Sequence, residues 1–339
     1  MLILEKINAT EDVYDITVAD NHNFFADGIL VHNCVEIGLK PNQFCNLTEV
    51  NVSDVETQEE LNVRVEAAAF IGTLQAGYTD FHYLRPIWRE TTEEEALLGV
   101  SMTGIGSGTI LNMNLKQAAE IAVATNKRVA DAIGINAAAR VTAVKPAGTT
   151  SLVVGSSSGI HAWHNDYYIR RMRVGKNEPL YKYMKQHLPE LVEDCKFKPH
   201  IEAVMSFPQK APDNAIMRTE KYKHLLKRVK KFNEEWVANG HITGDNNHNV
   251  SCTISLKSGE WINCGDWMWN NRESYNGISV LPYDGGTYVQ APFEDCTKEE
   301  YEELYKLLEN INLDEVVEVE DNTTLTDQAA CSGGACEVK

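Results

Sequence analysis

Basic residues are in short supply: 31 Lys and Arg stand against 49 Asp and Glu, a formal charge of −18 over 339 residues. Such a surface repels phosphate backbones and anionic membranes at long range. That excludes a nucleic-acid coat or a lipid-surface binder, and leaves a nucleotide only a local pocket of backbone donors. No apolar run approaches the roughly 18 residues that span a bilayer, and residues 1–5 are too short for the apolar stretch of a secretion signal. A cytoplasmic location, without membrane or nucleic-acid partners, is therefore expected. Cysteine is sparse as well, with eight in the chain, too few to staple a small secreted domain, so they are expected as thiols in a reducing compartment. Internal repeats and long low-complexity tracts are absent. What remains is ordinary globular composition, 43% hydrophobic and 24% charged, and a length that suggests two to three units at roughly 150 residues per domain.

Along the chain, residues 13–18 alternate in polarity, 20–23 form a turn cluster and 29–31 are extended in character. Thr57 and Glu60 have the spacing of a capping box ahead of Leu61, Val65 and Ala68. A second helix is predicted from Leu115 to Ile133 with Gly134 as its stop, a third from about Thr219 to Trp236, and a fourth after Thr297 and Glu300. Residues 141–144, 152–154, 250–255 and 278–281 read as strands. Alternating strands and helices predict an α/β fold. From about residue 314 the chain turns acidic and then small and Gly-rich, which predicts a mobile tail over 314–339.

The opening segment ends in His22-Asn23-Phe24-Phe25-Ala26-Asp27-Gly28-Ile29-Leu30-Val31-His32-Asn33-Cys34. An Asn side-chain amide can attack its own backbone carbonyl, cleaving the chain as a succinimide, and a thiol at the next position can first accept an upstream chain as a thioester. With residues 13–18, this string resembles the last two blocks of inteins. The resemblance implies that Asn33 cyclises, His32 polarises the scissile amide, His22 assists and Cys34 receives the upstream chain. Only the terminal blocks are present, so residues 1–33 are expected to be the C-terminal fragment of a split intein, of the all-β Hint fold, with an N-terminal fragment on another chain as partner.

After that junction come Cys34-Val35-Glu36-Ile37 and Gln43-Phe44-Cys45-Asn46-Leu47. This pair resembles the active-site loop of ribonucleotide reductases, and the spacing of 11 from Cys34 to Cys45 is closest to the monomeric, adenosylcobalamin-dependent branch. The likeness extends through Leu98 to Gly104, Lys145-Pro146-Ala147-Gly148-Thr149-Thr150-Ser151, Tyr167 to Arg171 and Leu281 to Tyr288. It implies that residues 34–313 are the C-terminal half of the ten-stranded α/β barrel of these enzymes. Cys34 would then be the thiyl that takes a hydrogen from the ribose, Glu36 the base for its 3′-hydroxyl, and Cys45 half of the reducing dithiol. Pro146, Ala147, Gly148, Thr149 and Thr150 would hold the substrate's di- or triphosphate. Cys331 and Cys336 would be a tail dithiol that reduces the active-site disulfide and is itself re-reduced by a thioredoxin- or glutaredoxin-like protein.

Taken alone, the Lys145 to Ser151 string is an ordinary turn with a small-residue nest of N–H groups suited to anions. Cys195, Cys252, Cys264 and Cys296 read as packing residues. His161 and His164, three apart, are too few for a metal site, and none is expected. The Gly99 to Gly108 run, with Gly104, Gly106 and Gly108, follows no convincing strand in a Rossmann spacing, so a dinucleotide fold is unsupported. Tyr167-Tyr168 comes too soon after the phosphate loop for the Tyr-Tyr relay of a tyrosyl-radical reductase and a glycyl-radical segment is missing, so elimination together with the family likeness leaves adenosylcobalamin as the expected cofactor. The alternatives are the same reductase body served by a metal-radical subunit, and an inactive fragment of a broken gene.

Overall fold

The computed structural model describes residues 36–283, 289–309 and 311–317, together with the backbone of 23–26 and 29–32. The alternating segment 13–18 lies outside them. Strands β1 (Asn23–Ala26) and β2 (Ile29–His32) form an antiparallel hairpin with Asn23 opposite His32.

The body is built on parallel strands. β3 (Asn46–Asn51) runs parallel to β4 (Leu98–Thr103), with Glu49 opposite Ser101. Beside β4 lies segment 140–144, tied to it by Leu98 N–H to Arg140 O at 3.1 Å and Ala143 N–H to Val100 O at 3.0 Å. Next comes segment 249–252, where Val144 N–H donates to Asn249 O at 3.0 Å and Ser251 N–H donates to Val144 O at 2.8 Å. Then β8 (Thr253–Leu256) pairs in parallel with β9 (Ser279–Pro282). Thus five parallel stretches follow one another in chain order, the arrangement that right-handed crossovers through helices produce.

Helices cover one side of this run. α1 (Gln58–Ala76) and α3 (Leu115–Ile133) pack on each other, and α1 also packs on β3 and β4. Thr57 caps α1 by accepting from Glu60 N–H, but the Glu60 carboxylate takes the Glu56 N–H, so only half of the anticipated box forms there. α3 has the predicted bounds, with the Asn114 side chain capping its start and Gly134, at φ 76°, ending it. The full box forms at α8 (Lys298–Leu308), where Thr297 and Glu300 exchange bonds. Val50, Leu98, Val100, Met102, Leu115, Phe232 and Trp236 share one core.

A second layer was not legible in advance. β5 (Tyr167–Gly175), β6 (Val192–Asp194), β7 (Glu202–Lys210) and β10 (Phe293–Asp295) form an antiparallel sheet in the order β10-β5-β7-β6. It has a separate core, with Met184 of α5 (Pro179–His187) and Leu304 and Leu307 of α8. Val316 packs there too, so order extends past the expected boundary at 314. The rest of the anticipated tail, 318–339, lies outside the described residues.

Three expectations are corrected. Residues 152–154 are not a strand but the end of a short helix, α4 (Thr149–Val153), bracketed by Gly148 and Gly155 at φ 52° and 61°; no neighbouring strand is offered to them, and Thr150 N–H folds back on Ala147 O. The third helix starts at Tyr222, not Thr219: α6 (Tyr222–Phe232) then runs into a π-turn, Asn233–Val237, where the Trp236 ring N–H reaches Ala143 O at 2.9 Å. Finally, the Gly104 to Gly108 run does follow a strand, β4, whose six residues are all buried and so show no alternation. It leads into 3₁₀ turns rather than a helix.

Candidate active site

Strand parity creates the site. Thr48 and Leu98 face α1, where both lie 3.4 Å from the position a Cβ on Gly72 would take. Residues 45, 47, 49 and 51 of the β3 stretch, with 99, 101 and 103 of β4, therefore share the opposite face. Leu47 is 43% exposed there, a large apolar side chain left uncovered on a strand face.

At the N-terminal end of this face, Gly99 is a floor for three side chains, the nearest being its cross-strand neighbour Leu47, whose Cδ2 would lie 2.5 Å from a Cβ placed there. A Cβ on Gly99 would lie 3.0 Å from Ile37 Cδ1 and 3.6 Å from Cys45 Sγ. So the neighbour of Glu36 and the Cys45 thiol converge on one backbone position. Glu36 is half-buried. Its carbonyl accepts the Asn249 N–H at 2.9 Å, and its Oε1 accepts the Ser251 hydroxyl at 3.1 Å. Asn249 is in turn fixed by its side-chain N–H bond to Gly277 O at 2.8 Å. Desolvation pushes the Cys45 thiol up to about 12, against the pull of the Arg140 charge and the Asn46 amide. Near neutral pH this sulfur is an S–H group, a hydrogen donor rather than a nucleophile.

Midway along the face, Lys145 pairs with Glu49, and the Ser101 hydroxyl donates to Glu49 Oε1 at 3.0 Å while accepting the Lys145 N–H at 3.1 Å. Burial pushes the Glu49 carboxyl up, and Lys145 opposes that. The motif lysine is thus engaged inside the protein. At the C-terminal end, segment 145–159 returns against β4. Ser157 O accepts from Gly104 N–H and from the Thr103 hydroxyl, both at 2.9 Å, and Gly159 N–H donates to Thr103 Oγ1 at 3.0 Å. A Cβ on Gly159 would sit 2.4 Å from Lys145 O, so only glycine allows the loop to close. The Ala147 N–H is spent on the Ser158 hydroxyl at 2.9 Å, which removes one donor from the anticipated anion nest. Pro146 and Gly148 are half-buried, Thr150 is exposed and Thr149 heads α4. This loop occupies the carboxyl end of a parallel sheet, where α/β folds place ligands.

Of the expected site residues, Glu36, Cys45 and the Pro146 to Thr150 loop are therefore brought to one strand face. Cys34, His22 and Asn33, the side chain of His32, and Cys331 with Cys336 lie outside the described residues. Cys195, Cys252 and Cys264 are buried and Cys296 half-buried. His161 and His164 diverge. The His161 Nδ1 faces Ser158 O at 3.1 Å and its Nε2 accepts the Thr253 N–H at 3.1 Å, whereas His164 stacks on Phe293 and meets Asp295. Among the described residues no group of three or more His, Cys, Asp or Glu side chains could hold a metal ion, and no helix is long and apolar enough to cross a membrane.

Burial holds three histidines neutral, with His248 lowered to about 3, helped by the Arg140 charge, and His164 to about 4, helped by Arg218; His161 is lowered as well. Because the folded values lie below the unfolded value near 6.5, the unfolded chain binds protons that the folded chain refuses, and stability is lost as pH falls below 6.5. Denaturant titrations should show a loss on the order of 3 kcal/mol between pH 7 and pH 5 from His164 and His248 together. Equal stability at the two pH values would mean that these rings are charged in the fold.

The chain's backbone superposes on a crystal structure of a B12-dependent class II ribonucleotide reductase with a TM-score of 0.68 and 24% identity, over 84% of this chain and 43% of that one. The α/β fold matches part of the fold of that reductase. In sequence, the chain is similar to the adenosylcobalamin-dependent ribonucleoside-triphosphate reductase of Euglena gracilis, 27% identical over an alignment of 318 positions, gaps included, that covers 89% of this chain and 41% of the relative. It is also similar to the protein of that name from Lactobacillus acidophilus, 26% identical over an alignment of 346 positions, gaps included, that covers 90% of this chain and 45% of the relative. The chain thus spans less than half the length of these relatives. No protein-family model matches it.

Two further groups stand out that carry no motif in the sequence. Arg140 and Glu95 form a buried pair 2.6 Å apart, and Gln43 Nε2 donates to the same Glu95 oxygen at 2.7 Å. A signal existed for Arg140: a lone charge opening an otherwise apolar strand-like run is rarely buried without a partner.

Proposed function

We propose that this chain is one half of an adenosylcobalamin-dependent ribonucleotide reductase, completed when its opening intein fragment joins it to an N-terminal half by protein trans-splicing. The observation that carries the reductase reading is the convergence of Ile37, next to Glu36, and of Cys45 over Gly99, at one end of a parallel strand face whose other end bears loop 145–159. Similarity to reductases named for ribonucleoside triphosphates favours triphosphates over diphosphates as substrates.

In this reading the chain's own groups divide the work. Loop 146–150 anchors the phosphates, through the Gly148 and Thr149 N–H groups and the Thr150 hydroxyl, and lays the ribose toward Cys45. Cys34 takes the 3′ hydrogen, Glu36 accepts the 3′-hydroxyl proton, and the 2′-hydroxyl leaves as water. Cys45 and a cysteine of the N-terminal half give up two electrons and two protons and become a disulfide, so ribonucleotide plus dithiol yields deoxyribonucleotide, water and disulfide. Cys331 and Cys336 restore the dithiol by exchange and are re-reduced by a thioredoxin- or glutaredoxin-like protein. Adenosylcobalamin, when bound, supplies the homolysis that generates the Cys34 radical. The apolar shelf of Ile37 and Leu47 beside Cys45 suits so large a group, and those residues would hold it.

Co-expression with an N-terminal half that ends in a split-intein fragment tests the proposal. A ligated product lacking residues 1–33 is expected, with deoxynucleotide formation that requires adenosylcobalamin and a dithiol. Asn33→Ala should give no ligated product; ligation by that variant would defeat the splicing assignment, and full activity without the cobalamin would defeat the cofactor.

A further inference from the structure

Burying an Arg–Glu pair is costly, and a well-packed apolar pair is often as stable or more so. Arg140 is 1% and Glu95 8% exposed at the side chain, so what this pair positions matters. Its contacts converge on the loop between Glu36 and Cys45. Besides the Gln43 bond, Lys40 Nζ pairs with Glu95 Oε1 at 3.1 Å, Gln43 Oε1 accepts the Lys40 N–H at 2.8 Å, and Gln43 Nε2 also reaches Thr91 O at 3.1 Å. Arg140 Nη1 donates to Thr243 O at 3.2 Å. Gly244, at φ 96°, leaves space for this guanidinium; a Cβ there would lie 2.4 Å from Nη1. The next residue in the loop, Phe44, gives its N–H to Thr92 Oγ1 at 3.1 Å. The end of α2 (Pro86–Glu95) is thus bonded to the loop at three successive levels, Thr91, Thr92 and Glu95, immediately before the thiol.

We propose that the buried Arg140–Glu95 pair, acting through Gln43, is a positioning device: it clamps the loop between Glu36 and Cys45 onto the end of α2 and so fixes where the Cys45 sulfur lies over Gly99. Its importance for catalysis rests on Cys45 being the redox thiol. The clamp itself is a property of the thiol's surroundings and can be measured without any reductase activity. Gln43 is the residue to cut, because its loss leaves the Arg140–Glu95 pair intact.

The test uses the full chain and follows alkylation of Cys45 by iodoacetamide, read by peptide mass, between pH 7.5 and 9.5. Gln43→Leu should release the loop, solvate the thiol and bring its titration down toward the ordinary cysteine range, so that the rate at pH 8.5 rises about tenfold or more. Asn126→Ala is the control. It breaks buried bonds to Thr73 and Ala138 between α1, α3 and the following turn, far along the chain from the loop, and should leave the Cys45 profile in place. A folded Gln43→Leu with the native profile, or an Asn126→Ala that moves it equally, overturns the proposal. If Gln43→Leu does not fold, Lys40→Met cuts the half-exposed link to the same carboxylate. It should move the profile the same way by a smaller amount, and a folded Lys40→Met with the native profile is again fatal.

Discussion

Replacing Glu36 with glutamine in the enzyme proposed above, joined and cobalamin-loaded, is expected to lower kcat about 10²- to 10⁴-fold, the usual worth of a positioned general base, with little change in KM. The reason lies in what glutamine keeps. Its amide oxygen can still accept the Ser251 hydroxyl that now bonds Glu36 Oε1 at 3.1 Å, and the backbone bond to Asn249 is untouched. Shape and fold are preserved, and only the capacity to take a proton is lost. The measurement is steady-state kinetics beside a thermal melt. A variant with native kcat would remove Glu36 from the chemistry, whereas a parallel collapse of the melt would show that its role is structural.

The second large effect is on stability. Arg140→Met should cost about 3–5 kcal/mol in denaturant unfolding, because it strands the Glu95 carboxylate in a site with little access to water. Lys40 and Gln43 hydrogen bonds to Glu95 soften the loss without removing it. Adding Glu95→Leu to the same chain should recover much of it, because two apolar side chains replace two charges that had to be desolvated. A single variant that costs under about 1 kcal/mol would show that solvent or a rearranged Lys40 already neutralises Glu95. The pair of variants also separates the two uses of this cluster, since the double variant restores stability without restoring the bond from Glu95 to Gln43.

Legibility in the sequence followed the range of the interactions. α3 was readable to the residue because its apolar spacing and its Gly134 stop are both local. β4 was not, because both of its faces are covered and a strand reading Leu-Gly-Val-Ser-Met-Thr carries no alternation. The antiparallel sheet was missed for another reason: β5 and β7 are paired across a gap that holds α5 and β6, and nothing local announces such a partner. In the site, Glu36, Cys45 and the 146–150 loop were recognisable as motifs. Their convergence on one face depends on the β3–β4 register, and the Arg140–Glu95 pair joins positions 45 apart.

The run of parallel strands has two ends among the described residues, β3 and β9. A strand with a neighbour on one side only presents unpaired amides and carbonyls, a template for intermolecular stacking. Made alone, this polypeptide would carry two sticky margins and an oily strip at Leu47. Under the joining proposed above, haste in meeting an N-terminal half would be a matter of solubility as much as of catalysis, and a splicing segment that captures its mate tightly would act as a chaperone before it acts as a ligase.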